Sequence, residues 1–429
     1  MLKKIENWLF YGFLFAIPIS LRYIFGYEPF SFIEWTSVYI YATDILLFAL
    51  LSFWFRRFLK IKNYKLEIKP ADWLLLAFVV VAWISVGNAM NVKTAVFGWI
   101  KLVEGVALYF YVKEYALKRF NLSHAFEAIV AGATFQAVIA IIQFATQGSL
   151  GLKYLGESQF VPAMSGIAAF FVNGVKVVRA YGTTPHSNIL ALYLFIAIGA
   201  VYSVCIYQKR TWMWHLCHAL ILWAFFLTFS RVVIGWWVLI FVGHSLLLRF
   251  YQPFYKEFWL DPEMRRRGLG LFWTTIGVAV LFVACYWPNV INRSVISTKD
   301  EAVQLRVLYN NESLSSGQNI FGVGMGNFVP WLMTQDLHLN REVYQPVHNI
   351  YLLIYSEVGI VGVALFILFL ALVLYDFYKR TGLKKLHHFY FVLIIVGILF
   401  FGLFDHYIWT IQTGRLMFWL ALGLLAGAE

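Results

Sequence analysis

Four basic side chains, Arg179, Arg231, Arg306 and His348, carry the chemistry that this sequence most plainly offers. A guanidinium is a planar, permanently charged fork whose N–H groups match phosphate oxygens two at a time. Three such forks around one site would balance the charge of a diphosphate without a metal. An imidazole beside them, in its neutral form, could take the proton of an attacking hydroxyl. His348 stands at the start of an apolar run in Gln345-Pro346-Val347-His348-Asn349-Ile350, where the positive end of a helix dipole disfavours a further positive charge. Each residue alone has a plainer role. Arg231 could anchor to lipid phosphate by snorkelling, Arg179 and Arg306 could be solvated loop charges, and His348 could be a cap. Metal chemistry has less support, because the aspartates form no D-x-D. The outer histidines His186, His338, His348 and His406 lack zinc-ligand spacing. Gly322-x-Gly324-x-Gly326 lacks the strand–helix setting of a phosphate loop and is read as a turn. No metal and no cofactor are expected.

The elements that position these residues follow from composition. Of the 429 residues, 61% are hydrophobic and only 13% charged, and the mean hydropathy is +0.71. Soluble domains carry about one quarter charged residues, so a cytosolic enzyme, a disordered scaffold and a secreted domain are all excluded. The expected fold is all-α: a polytopic integral membrane protein with about 12 transmembrane helices. Lys and Arg outnumber Asp and Glu by 34 to 22, a net +12. In a membrane chain that excess reads as topology rather than nucleic-acid binding. Cys205, Cys217 and Cys285 are scattered and make no disulfide framework. The opening Met1-Leu2-Lys3-Lys4 before an apolar run lacks a cleavage site and reads as an uncleaved first helix.

Apolar runs fall at 8–26, 37–55, 71–88, 95–112, 123–147, 187–207, 212–229, 232–248, 268–287, 349–375, 388–406 and 412–427. Basic clusters at 56–69, 113–119, 249–267 and 379–385 all fall on one side if both termini are cytoplasmic. Merging 212–248 into one helix would move Arg265-Arg266-Arg267 to the outer side, so Ser230-Arg231 is read as a tight outer turn. The chain is read as a single membrane domain, 1–429, with a first long outer loop at 148–186 and a second at 288–348. The apolar piece Ile167–Val172 suggests a segment in the interface or a re-entrant one. Ser297-Thr298 before Asp300 and Glu301 suggests a loop helix, and Trp331-Leu332 a second. Within the spans, Asp44, Lys101 and Glu104 suggest either a buried polar lock on helix packing or an ion relay. Glu357 lies deeper in the tenth span, among polar neighbours.

These residues also carry a family resemblance. Arg179-Ala-Tyr-Gly182-Thr-Thr-Pro185-His-Ser-Asn188-Ile-Leu-Ala191 resembles the R-x-x-G…P-x-x-N-x-L-A entry to a central span in the O-antigen ligase and polymerase superfamily. Thr228-Phe-Ser230-Arg231 resembles its T-x-S-R turn. Arg306 followed by Phe321-Gly322-Val-Gly324-Met-Gly326-Asn-Phe328 resembles its glycine loop. His348-Asn349 followed by Glu357-Val-Gly359-Ile-Val-Gly362 resembles its H-N…E-x-G-x-x-G segment. One departure is the aromatic after the loop arginine, usually R-x-x-x-W, which here reads Arg306-Val-Leu-Tyr309-Asn.

The resemblance implies a glycosyltransferase of the bacterial inner membrane with a periplasmic active site. It would move a glycan from an undecaprenyl-diphosphate carrier to an acceptor hydroxyl without metal. The acceptor is lipid A-core for a ligase and the growing glycan for a polymerase; a protein acceptor belongs to the same superfamily. Arg179, Arg231 and Arg306 would contact the diphosphate, and His348 would activate the acceptor, with Arg306 also at the reacting centre. A single displacement would invert the anomeric carbon. The partners are then the lipid-linked donor, the acceptor and membrane lipids, with no nucleic acid. A lipid-linked glycan transporter would explain the arginines but has no use for a histidine at the outer rim. A non-enzymatic assembly protein needs no convergent Arg/His set.

Overall fold

The computed structural model describes residues 2–25, 33–60, 66–207, 211–250, 260–295, 301–335, 340, 343–382 and 386–428. A helix lies on each of the twelve apolar runs: Leu2–Ala16, Ala42–Lys60, Pro70–Ser85, Val92–Tyr111, Leu122–Thr146, Ser187–Tyr207, Thr211–Leu227, Arg231–Phe250, Pro262–Ser294, Ile350–Thr381, Leu386–Phe401 and Gln412–Gly427. Among the described residues, seven helices are long and apolar enough to cross a membrane. The protein is therefore a mostly helical, multi-pass membrane protein.

The ends of two apolar runs are corrected, and one outer loop gains a hairpin. The first helix ends at Ala16 rather than running to residue 26. Pro18 lacks the N–H a helix needs, and the chain turns into a strand, β1 (Arg22–Phe25), paired antiparallel with β2 (Val38–Tyr41). The start of the second run is thus strand, not helix. The apolar piece Ile167–Val172 is not helical. Its end forms β3 (Ala169–Val172), which pairs with β4 (Val175–Val178) across Asn173-Gly174. Both turn residues have positive φ, the primed hairpin turn that Asn-Gly favours. The expected loop-helix start at 297–300 lies outside the described residues, but a helix does occupy Glu301–Ser316. The second loop helix is short, Phe328–Leu332.

The chain divides into two compact units. The first comprises Met1–Leu21, Arg119–Ile296 and Leu383–Gly397. Its centre is the helix Leu122–Thr146, where a Cβ on Gly132 would lie 2.7 Å from both Phe15 O and Tyr193 Oη. Small residues at such crossings let helix backbones approach, the packing contact available in lipid. The β3–β4 hairpin packs through Val178 on Phe160 and Tyr181.

The second unit comprises Arg22–Lys118, Ser297–Gly382 and Ile398–Glu429. A buried polar lock ties three of its helices together. Lys101 Nζ contacts Glu104 at 2.7 Å and also pairs with Asp44, and Gln412 Nε2 donates to both carboxylates. Lys113, one of the basic residues used to orient the chain, is itself buried against Asp72.

Candidate functional site

In the first unit the site is built on two buried glutamines. Gln143 donates to Gly182 O at 2.9 Å and accepts from Gly182 N at 2.8 Å. Gln136 accepts from Thr183 N and donates to Thr183 Oγ1, both at 2.7 Å. These bonds satisfy backbone groups of a loop that would otherwise be orphaned in the interior. Gly182 is required there. Its φ is +60° and a Cβ would sit 2.4 Å from Gln136 Oε1. The loop so fixed presents Arg179, which is only 5% exposed. Its Nε donates to Thr228 O and its NH2 group to Asn188 Oδ1. Ser230 Oγ donates to the same Asn188 oxygen at 3.1 Å. The R-x-x-G…N motif and the T-x-S-R turn are thus one hydrogen-bonded piece. Nearby, Ala168 N donates to the Tyr181 hydroxyl at 2.6 Å. Burial, the largest influence, pushes that phenol above its usual range.

The turn itself is strained. Phe229 has φ +45°, a conformation that costs a bulky residue roughly 1–3 kcal/mol. Its buried ring packs on Phe144, Phe170 and Phe282 at centroid distances of 5.9, 4.8 and 5.8 Å, which offsets that cost. The strain allows a three-residue break between helices and makes Arg231 the first residue of the next one. Arg231 is half-buried, and its NH1 group donates to Val295 O at 3.1 Å. Arg293 Nε donates to Phe229 O at 3.3 Å. Arg293 was not singled out from the sequence. Arg179, Arg231 and Arg293 are therefore all fastened around the 228–231 turn.

Arg306 and His348 belong to the second unit. His348 precedes Asn349, whose side chain accepts from Tyr351 N and Leu352 N at 2.9 and 3.1 Å and caps the helix Ile350–Thr381. Ile350 N donates to Gly402 O at 2.8 Å, docking the helix start on the segment that carries Asp405 and His406. His348 Nδ1 lies 3.6 Å from Asp405 Oδ1. The His348 and His406 ring centroids are 4.9 Å apart. This separation exceeds a hydrogen bond, but catalytic contacts commonly tighten only with substrate bound. Asp405 and His406 are buried and were not singled out from the sequence. The three residues bring one ligand atom each within 4.8 Å of one another, so they could hold a metal ion despite the lack of sequence spacing. Tyr309, one position before the expected aromatic, is buried and faces His348 at 6.1 Å between ring centroids. Arg306, three residues earlier on the helix Glu301–Ser316, is half-buried and has no hydrogen-bond partner among the described residues.

The glycine motif has a structural task. Gly359, at φ +77°, breaks the helix Ile350–Thr381, and a Cβ there would lie 1.9 Å from Ile320 O. The break frees the carbonyls of Ser356 and Glu357, which accept from Val323 N and Gly324 N at 2.8 and 3.0 Å. The glycine loop and the E-x-G segment are thus two halves of one joint. The Glu357 carboxyl is buried, 3.5 Å from Phe328 N.

Residues 216–367 match a family model described as O-antigen ligase. The matched stretch contains Arg231, Arg306, the glycine loop and His348, and it supports membership of the O-antigen ligase and polymerase superfamily. None of the curated proteins compared matches the chain.

Proposed function

We propose that this member of the superfamily transfers a glycan from an undecaprenyl-diphosphate carrier to an acceptor hydroxyl on the periplasmic face of the bacterial inner membrane. In this reading twelve helices span the membrane, both termini are cytoplasmic, and lipid A-core is the acceptor. The observation that carries it is the family match, within which lie two of the three arginines and a histidine beside a buried carboxylate.

The mechanism follows from the groups. Arg179, Arg231 and Arg306 bind the diphosphate and stabilise the negative charge that grows on it as it leaves. Asp405, on the Nδ1 side of His348, orients the ring and leaves Nε2 to face the acceptor. As the acceptor oxygen bonds to the anomeric carbon, its proton passes to Nε2. The bond from that carbon to the diphosphate oxygen breaks with its electron pair, releasing undecaprenyl diphosphate. One displacement inverts the anomeric centre. The arginines supply the positive charge, so no metal is needed at the leaving group.

The test is reconstitution in nanodiscs with a lipid-linked oligosaccharide, in chelator, with lipid A-core or a second glycan as acceptor. Transfer to lipid A-core in chelator supports the ligase reading. Extension of the lipid-linked glycan alone would reassign the protein as a polymerase. Activity lost in chelator and restored by a divalent cation would make His348, Asp405 and His406 metal ligands instead. No transfer to any acceptor, with carrier moving between leaflets, would favour a transporter.

A further inference from the structure

The second unit contains an open cavity of about 690 Å3 when the space at its mouth is counted. Five aromatic residues line it: Trp35, Tyr39, Tyr41, Phe97 and Trp409. Its charged lining is Glu34, Glu357 and Arg415. Glu34 is already paired with Arg22, whose NH2 group donates to Oε2 at 2.8 Å. Arg415 donates its NH2 group to Thr410 O at 2.8 Å, and its Nε has no partner among the described residues.

The cavity adjoins the histidine pair. Thr410 lines it, and the Thr410 hydroxyl meets His406 Nδ1 at 2.7 Å. Trp35 stands edge-on to the His406 ring at 5.0 Å between centroids. Pro346, also in the lining, is two residues before His348.

This chemistry selects among ligands. Glu34 is balanced by Arg22 and Glu357 offsets Arg415, so the wall has no surplus positive charge to hold a diphosphate, and the donor's leaving group does not fit here. Buried charges at the wall disfavour an isoprenoid chain. A sugar ring suits both features. Its C–H faces pack on aromatic rings, while its hydroxyls give protons to carboxylates and accept from a guanidinium. We propose that this cavity binds a pyranose ring of the acceptor and delivers its hydroxyl toward His348. The acceptor role rests on the transfer reading; the sugar site itself does not.

The test uses full-length protein in lipid nanodiscs free of glycoside detergents, probed by saturation-transfer NMR with methyl β-D-glucopyranoside and methyl β-D-galactopyranoside. Saturation should reach the ring C–H protons of at least one glycoside. Trp35→Ala and Phe97→Ala should each weaken that binding about tenfold, which corresponds to about 1.4 kcal/mol, and Trp35→Phe should recover most of it. His348→Ala should keep glycoside binding while transfer is lost. Trp35-dependent binding in a protein that shows no transfer would leave the sugar site standing and remove the enzyme. Transfer with no saturation of either glycoside, or with binding indifferent to both aromatic substitutions, would overturn the cavity assignment and leave the enzyme intact.

Discussion

The two units hold their functional groups in opposite ways. In the first, guanidinium groups are fastened to backbone: Arg179 to Thr228 O, Arg293 to Phe229 O and Arg231 to Val295 O. The carbonyls they grip belong to a strained turn or its neighbours, fixed by packing and by buried glutamines. In the second, His348 is held by ring and carboxylate neighbours and its Nδ1 makes no hydrogen bond. A charge that only has to be present can be locked in place, because preorganised charge costs no reorganisation when the leaving group departs. A base must accept a proton and give it up, so it is placed by loose neighbours rather than clamped. On the proposed reading, the clamped arginines of the first unit bind the diphosphate and the loosely held histidine of the second reacts.

Substituting the reacting side should cost most. His348→Ala is expected to lower transfer by about a hundredfold to ten-thousandfold, the usual contribution of a positioned base. Donor affinity, read separately with a labelled lipid-diphosphate, should not change. A matching loss of donor affinity would erase the division between the units.

Asp405→Asn should cost about ten- to a hundredfold in transfer, as expected for a group that orients a functional histidine. Because Asp405 acts only through the ring, the substitution should add nothing in a His348→Ala background. An additive loss in the double variant would give Asp405 a role of its own.

Arg231→Lys keeps the charge and loses the fork. Donor binding should weaken about tenfold, equivalent to a charge-assisted hydrogen bond of about 1.5 kcal/mol. The rate at saturating donor should fall as well, because the fork also stabilises the charge that grows on the departing diphosphate. Thermal stability should hold, since the one bond lost is to an exposed carbonyl at Val295. Unchanged donor affinity would return Arg231 to the role of a lipid anchor.

What the sequence disclosed divides along similar lines. The helices were legible because unbroken apolar runs leave little choice in lipid, and the 228–231 break was legible from charge placement. Arg179, Arg231, Arg306 and His348 were legible because basic residues are conspicuous beside outer span ends. The β3–β4 hairpin had a signal, Asn173-Gly174 between apolar and β-branched residues, but the hydrophobicity of Ala169–Val172 in a membrane chain drew the reading toward lipid. β1 was hidden for the same reason, with Pro18 as the overlooked stop. Asp405 and His406 carried no local signal. They reach His348 only because the helix Ile350–Thr381 docks its first N–H on Gly402, a contact that tertiary packing alone creates. Arg293 looked like any residue at the end of a long helix until its bond to the Phe229 carbonyl was seen.

The smallest effect on chemistry is expected where the buried charge is greatest. Lys101 is 4% exposed and paired with Asp44 and Glu104, an arrangement that could serve as an ion relay or as a lock between helices. The lock accounts for Gln412, whose amide nitrogen donates to both carboxylates and so ties a third helix to the pair. Lys101→Met should leave transfer per folded molecule unchanged, yet lower stability by about 3–5 kcal/mol, because two carboxylates lose their cation in the interior. Replacing Asp44 and Glu104 by leucine in the same chain should recover much of that stability, since an apolar cluster of similar volume needs no compensation. Thermal unfolding in nanodiscs reads the stability, and transfer normalised to folded protein reads the chemistry. Normal stability with lost transfer in Lys101→Met would show that the second unit moves protons through its interior as well as at His348.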